Sequence, residues 1–219
     1  MNRKKLISYS YNTEELAVLS YLSYEDSNVI RRKCALFGFE YLEQYQLELC
    51  ASIDVRIIKK CSNLVHVFRK GNYIIIALKG TSSLIDLVAD YNILYGKRNS
   101  RLFTETFKYV KQICSFYNSY NIVLTGHSLG GSLSIYCNEK LRHKCIVFNP
   151  GSSPFIKEKK VNNEVKIYRH VMDLISLGFV SKENKDNIET YISAVSIKEA
   201  HTLNSWISKD NLSKLRFKI

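Results

Sequence analysis

The chain has 219 residues, 46% of them hydrophobic and 24% charged, with two prolines and nine glycines. That balance suits one domain with a real core, expected over residues 1–219, and excludes collagen-like or largely disordered readings. The net charge of +12 suits a solvated basic surface that could approach anionic lipid, and no apolar run approaches the roughly 20 residues of a membrane helix.

The basic start Met1-Asn2-Arg3-Lys4-Lys5 is followed by Asn12, Glu14 and Glu15 rather than by an apolar signal core, so an intracellular protein is expected. Thr13 to Tyr24 reads as a helix with acids in its first turn. Leu64–Phe68 and Tyr73–Leu78 flank Gly71-Asn72, which is a hairpin signal. The second of these strands is apolar at consecutive positions, as a strand buried on both faces requires. Arg101 to Tyr117 carries Leu102, Phe103, Phe107, Val110 and Ile113 as one helical stripe. Ile122-Val123-Leu124 is a short buried strand, Ser128 to Leu141 a helix, and Cys145–Phe148 another buried strand closed by Asn149-Pro150-Gly151. Val165 to Val171 alternates, and Tyr191 to Ile197 is expected as the last strand. Strands alternating with helices predict an α/β class with a mostly parallel central sheet flanked by helices.

Six cysteines, at positions 34, 50, 61, 114, 137 and 145, include no Cys-x-x-Cys pair. Free thiols in a reducing compartment are expected, with no zinc site. The basic runs Arg31-Arg32-Lys33 and Lys157-Glu158-Lys159-Lys160 stand in no nucleic-acid-binding motif, and nucleic acid is not an expected partner.

The chemistry centres on Gly126-His127-Ser128-Leu129-Gly130-Gly131, set between strand and helix patterns. Such a strand–turn–helix lifts a serine hydroxyl clear of the sheet on a strained turn, the nucleophile elbow. The residues two before and two after must approach each other, so both lack side chains. The N–H of Leu129 is then one oxyanion donor. A serine needs a base, and the expected chain order is serine, acid, histidine. His143 lies past the elbow helix and His170 within a strand pattern. His201, in a polar loop, is the better base. Asp173 directly follows the alternating strand and is preferred to Glu183 and Asp186 in the polar stretch 181–187. Its role is to hold the His201 tautomer and stabilise the imidazolium. A second oxyanion donor is expected after the most apolar strand, at Thr81 of Lys79-Gly80-Thr81-Ser82-Ser83. Ser82 or Ser83 could also cap a helix through Leu84, Ile85, Leu87 and Val88.

Together these blocks resemble the class 3 lipases, the fungal-lipase-like branch of the α/β-hydrolases. The shared blocks are Gly80-Thr81-Ser82 with Asp86, the elbow Gly126–Gly131, Phe148-Asn149-Pro150, Asp173-Leu174-Ile175 and His201-Thr202-Leu203. The resemblance spans roughly Leu64 to Trp206. It implies Ser128 as nucleophile, Asp173 as acid, His201 as base, and Thr81 with Leu129 as oxyanion hole. Where the family often has Arg before Gly-Thr this chain has Lys79; Leu87 stands where Trp is frequent, and Ser176-Leu177-Gly178 where a proline commonly follows the acid.

The resemblance implies a lipase or phospholipase cleaving lipid acyl esters through an acyl-serine, with no cofactor and no metal. An anionic membrane surface is the expected docking partner, and Leu84 to Tyr95 could form a lid or an apolar rim. The alternatives are a short-chain carboxylesterase and a non-catalytic lipase-like protein that binds lipid or a partner.

Overall fold

A computed structural model describes residues 10–42, 63–80, 101–152, 160–192 and 196–216. The chain begins with two helices, α1 (Thr13–Leu22) and α2 (Ser27–Ala35). The Asn12 side chain caps α1 and Glu15 reaches back to the Asn12 N–H, a reciprocal capping box. The strands are β1 (Glu40–Leu42), β2 (Val65–Lys70), β3 (Tyr73–Leu78), β4 (Asn121–His127), β5 (Lys144–Phe148), β6 (Val165–His170) and β7 (Ile188–Tyr191). Helix α3 (Arg101–Phe116) precedes β4, and α4 (Leu129–Leu141) joins β4 to β5. A short helix α5 (Ile197–Ala200) and helix α6 (Lys209–Arg216) follow β7.

The seven strands lie in chain order across one sheet. β1, β2 and β3 pair antiparallel; β3 through β7 pair parallel. The register sets Leu78 beside Gly126, His127 beside Phe148, Phe148 beside Tyr168, and His170 beside Tyr191. The carboxyl ends of the parallel strands therefore form one edge, where open α/β sheets assemble their sites. This is the α/β-hydrolase arrangement expected from the sequence.

β3 shows why consecutive apolar residues were needed. Ile74, Ile76 and Leu78 face a core with α3 and α4, among them Val110, Ile113 and Leu133. Ile75 and Ala77 face a second core with Leu16 and Leu19 of α1, Leu203 and Leu215. The period of two sends alternate residues to opposite faces, and both faces are covered. In the second core Trp206 packs with ring centroids 6.0 Å from Phe148, 5.6 Å from Tyr168 and 5.4 Å from Tyr191. Cys34, Cys114, Cys137 and Cys145 are buried cysteines. Burial pushes the Cys34 thiol up to about 11 and the Cys114 thiol up to about 12. Cys50, Cys61, the basic start and the run at 157–159 lie outside the described residues.

Several expectations need correction. The last strand is Ile188–Tyr191, ending where the sequence suggested it would begin. Ile197 instead opens α5, because Ser196 and Glu199 form a capping box. The polar stretch Lys182–Asn187 forms a 3-10 helix, anchored by buried Asn184 and Asn187. Their amides bind the Phe179, Asn162 and Val165 carbonyls. The elbow helix starts at Leu129, and β4 runs on to His127. Among the described residues, no helix is long and apolar enough to cross a membrane.

Candidate functional site

Ser128 stands between β4 and α4 with φ 56 and ψ −127. An L-residue occupies that region only when its surroundings impose it, at a cost of about 1–3 kcal/mol. The surroundings are backbone. A Cβ on Gly130 would fall on the Leu78 carbonyl, and one on Gly126 would meet Gly130 carbonyl atoms at 2.6 Å and the Leu78 oxygen at 2.8 Å. The Ser128 N–H donates to Phe148 O at 3.2 Å, and its carbonyl accepts from Ser132 N at 3.2 Å and Gly151 N at 2.9 Å. Below the turn, Ser134 Oγ donates to the carbonyls of Thr125 and Gly130, both at 2.8 Å. Ser20 Oγ of α1 lies 3.1 Å from Thr125 Oγ1. The turn that carries the hydroxyl is thus held by β3, β5, α1 and α4.

His201 follows α5 and brings Nε2 to 3.0 Å from Ser128 Oγ. Its Nδ1 lies 2.9 Å from Asp173 Oδ1. An ionised Asp173 accepts at Oδ1, so Nδ1 carries the proton and Nε2 is the acceptor for the serine hydroxyl. All three side chains are buried, Ser128 at 1%, Asp173 at 0% and His201 at 6% exposure. Asp173 Oδ1 also accepts from Ile175 N at 3.0 Å. The sequence separations are 73 residues for Ser128–His201 and 28 for His201–Asp173. Folding therefore gathers the serine, acid and histidine selected from the sequence at one edge of the sheet.

Two residues to which the sequence assigned no role hold the histidine. Asn149, fully buried and with φ 41, ends β5. Its Nδ2 donates to Ala200 O at 2.9 Å and Thr202 O at 3.4 Å, the carbonyls on either side of His201. Its Oδ1 accepts the His170 N–H at 2.8 Å. His127, inside the elbow, places Nε2 2.5 Å from His201 O, and its Nδ1 lies 3.0 Å from Tyr24 Oη. Nε2 must therefore donate, and Nδ1 accepts the phenolic proton. Burial, aided by the neighbouring His201, pushes the His127 ring down to about 3, so it stays neutral. Burial also raises Tyr24, whose oxygen accepts the Gly80 N–H.

Gly80 follows β3 and lies against the elbow. A Cβ there would run into Tyr24 Oη and reach 2.6 Å from His127 O and 3.3 Å from Ser128 Cβ. The backbone leading to Thr81 thus passes beside the serine. Thr81 itself, the Ser82 and Ser83 cap and the stretch 84–95 lie outside the described residues. Leu129 opens α4, so its N–H belongs to the first helical turn, which has no intrahelical acceptor. His143 lies beyond the far end of α4, and His170, fully buried, accepts the Met172 N–H at Nδ1. Neither is the partner of Ser128. Among the described residues, no three His, Cys, Asp or Glu side chains gather as a metal site.

The parallel sheet with a strained serine turn at its carboxyl edge defines an α/β-hydrolase fold. The Mbeg1-like family model matches residues 43–172, more than half of the chain, and the protein belongs to that family. No curated protein sequence matches it. Among solved structures it is similar to the Rhizomucor miehei lipase propeptide complex at 15% identity and TM-score 0.46, over 93% of this chain and 78% of that one. It is also similar to the Lip2 lipase from Yarrowia lipolytica at 16% identity and TM-score 0.46, over 82% and 77%. A third is the lipase from Rhizopus microsporus var. chinensis, at 14% identity and TM-score 0.42, over 75% and 66%.

Proposed function

We propose that this protein is a serine ester hydrolase of class 3 lipase type that cleaves acyl esters of lipids. The observation that carries the reading is the unbroken hydrogen-bond chain from Ser128 through His201 to Asp173 on a strained elbow. His201 Nε2 takes the hydroxyl proton as Ser128 Oγ attacks the ester carbonyl. Asp173 keeps the Nδ1–H tautomer and balances the imidazolium. The oxyanion receives hydrogen bonds from the backbone N–H groups of Leu129 and Thr81. His201 then protonates the departing alcohol, leaving an acyl-serine. Water, deprotonated by His201, releases the fatty acid and restores the serine. No cofactor or metal takes part in this scheme.

Lipid as the substrate class is supported by the surface around Asp173. Val171, Met172, Leu174, Leu177, Val180 and Ile192 are all exposed, an apolar concentration of the kind that marks an interaction site. The charge of +12 suits an anionic membrane surface. The four buried cysteines among the described residues fit an intracellular, reducing compartment.

The test is labelling by a fluorophosphonate probe, followed by hydrolysis of 4-nitrophenyl esters of increasing acyl length. Wild type forms an adduct and Ser128→Ala does not; Asp173→Asn slows labelling by about 10⁴-fold. A folded wild type that labels no better than Ser128→Ala is a non-catalytic binding protein. Activity that falls steadily beyond short acyl chains makes the enzyme a carboxylesterase.

A further inference from the structure

β6 places a charge where its own pattern calls for an apolar residue. Val165 and Ile167 face the core, and the period of two puts Arg169 on the same face. Arg169 is 4% exposed, and arginine is almost never buried without a partner. Its fork folds into the turn that carries Asp173. Nη2 donates to Asp173 O at 3.0 Å and to Val171 O at 3.5 Å, and Nε to Ser176 Oγ at 3.1 Å. Ser176 Oγ in turn donates to Asp173 O at 3.3 Å. Every one of these acceptors is neutral, so the countercharge must act through space.

Asp173 is the matching half. Its carboxylate is fully buried, Oδ1 is shared by His201 and Ile175, and Oδ2 has no hydrogen-bond partner among the described residues. The attraction between Asp173 and Arg169 partly offsets the burial that pushes the guanidinium down.

We propose that Arg169 is a positioning residue of this site: it clamps the turn carrying Asp173 and counters the charge of its carboxylate. The inference rests on the hydrolase reading above. Among the described residues, the other groups facing the pair bring little charge. His127 of β4, with its ring centroid 4.9 Å from that of His201, is held neutral. His170 of β6 accepts from the Met172 N–H. Tyr24, behind His127, is a phenol kept protonated by burial. Glu199 of α5 turns its carboxylate to the Ser196 cap. A cation beside the His201–Asp173 pair opposes uptake of a proton, whichever partner takes it.

The experiment is the rate of fluorophosphonate labelling from roughly pH 5 to 9, the range over which histidine charge changes, for wild type, Arg169→Met, Arg169→Gln and Arg169→Lys. The acid limb is expected to move to higher pH by about one unit in Arg169→Met. Arg169→Gln, which keeps a donor for the Asp173 carbonyl, carries the same expectation should the methionine variant fail to fold. Arg169→Lys keeps the charge and loses the fork, so its limb stays and its rate falls at least tenfold. Ser176→Ala lowers the rate without moving the limb. A limb unmoved in the uncharged variants overturns the charge role, and a lysine variant labelling at the wild-type rate overturns the clamp. If wild type is not labelled at all, it is the hydrolase reading that fails.

Discussion

Replacing Asn149 should damage the fold and the site together. The side chain joins three elements at the sheet edge: it ends β5, accepts from the His170 N–H of β6, and donates to the Ala200 and Thr202 carbonyls that flank His201. Asn149→Ala leaves the buried His170 N–H and the Ala200 carbonyl without that partner. A buried polar group so stranded costs about 1–3 kcal/mol. Alanine must also adopt the φ of 41, which asparagine tolerates better than most L-residues. The expected loss is therefore about 3–6 kcal/mol, against a total stability of about 5–15 kcal/mol. Asn149→Asp separates the two contributions. It keeps an acceptor for His170 but turns an oxygen, not an N–H, toward the Ala200 and Thr202 carbonyls, so the His201 loop is pushed away. Urea unfolding measures the first effect and the fluorophosphonate labelling rate the second. Both variants should label at least 100-fold more slowly than wild type. An alanine variant that loses under about 1 kcal/mol and labels at the wild-type rate would refute this account of how His201 is held.

The elbow glycines and the buried histidines give further tests. Gly130→Ala drives a Cβ onto the Leu78 carbonyl; because the obstacle is backbone, the expected loss is about 3 kcal/mol or more, read by urea unfolding, with labelling at Ser128 abolished. A variant as stable as wild type would contradict the close approach of the elbow to β3. His127 and His66 are both buried and neutral, pushed down to about 3 and about 4 by burial, with His201 adding to the first and Lys79 to the second. The unfolded chain binds these protons near pH 6.5, and the fold refuses them until much lower pH. Their contribution is complete above about pH 6.5 and declines as the pH falls, by about 2 kcal/mol per ring at pH 5. Urea unfolding of wild type and His66→Gln at pH 8 and pH 5 checks this: the variant should lose about 2 kcal/mol less than wild type between the two. Equal losses would mean that His66 is already charged in the folded protein.

The sequence made the serine legible because its turn demands small residues on both sides, and those demands are local. Asp173 and His201 were legible from chain order and from their places after strand-like segments. Asn149 was not, since a buried asparagine at a strand end gains its meaning from His170, Ala200 and Thr202, which reach it only in the fold. The same holds for His127, whose Tyr24 partner is 103 residues away. The last strand was misplaced at its start: Tyr191, expected as its first residue, is its last, and the polar residues Glu189 and Thr190 before it give no apolar signal. The Ser196–Glu199 capping box, readable in the sequence, marked a helix there. Arg169 was readable too, as a charge on the apolar phase of an otherwise regular strand.

The placement of Trp206 has an experimental use. It is the chain's one tryptophan, it lies on the segment that continues from His201, and its ring is wedged among Phe148, Tyr168 and Tyr191. The intrinsic fluorescence of the protein therefore comes with a built-in optical reporter, needing no dye and no engineered label. A red shift in emission without loss of helical circular dichroism would record this corner lifting from the sheet while the rest of the fold stays closed.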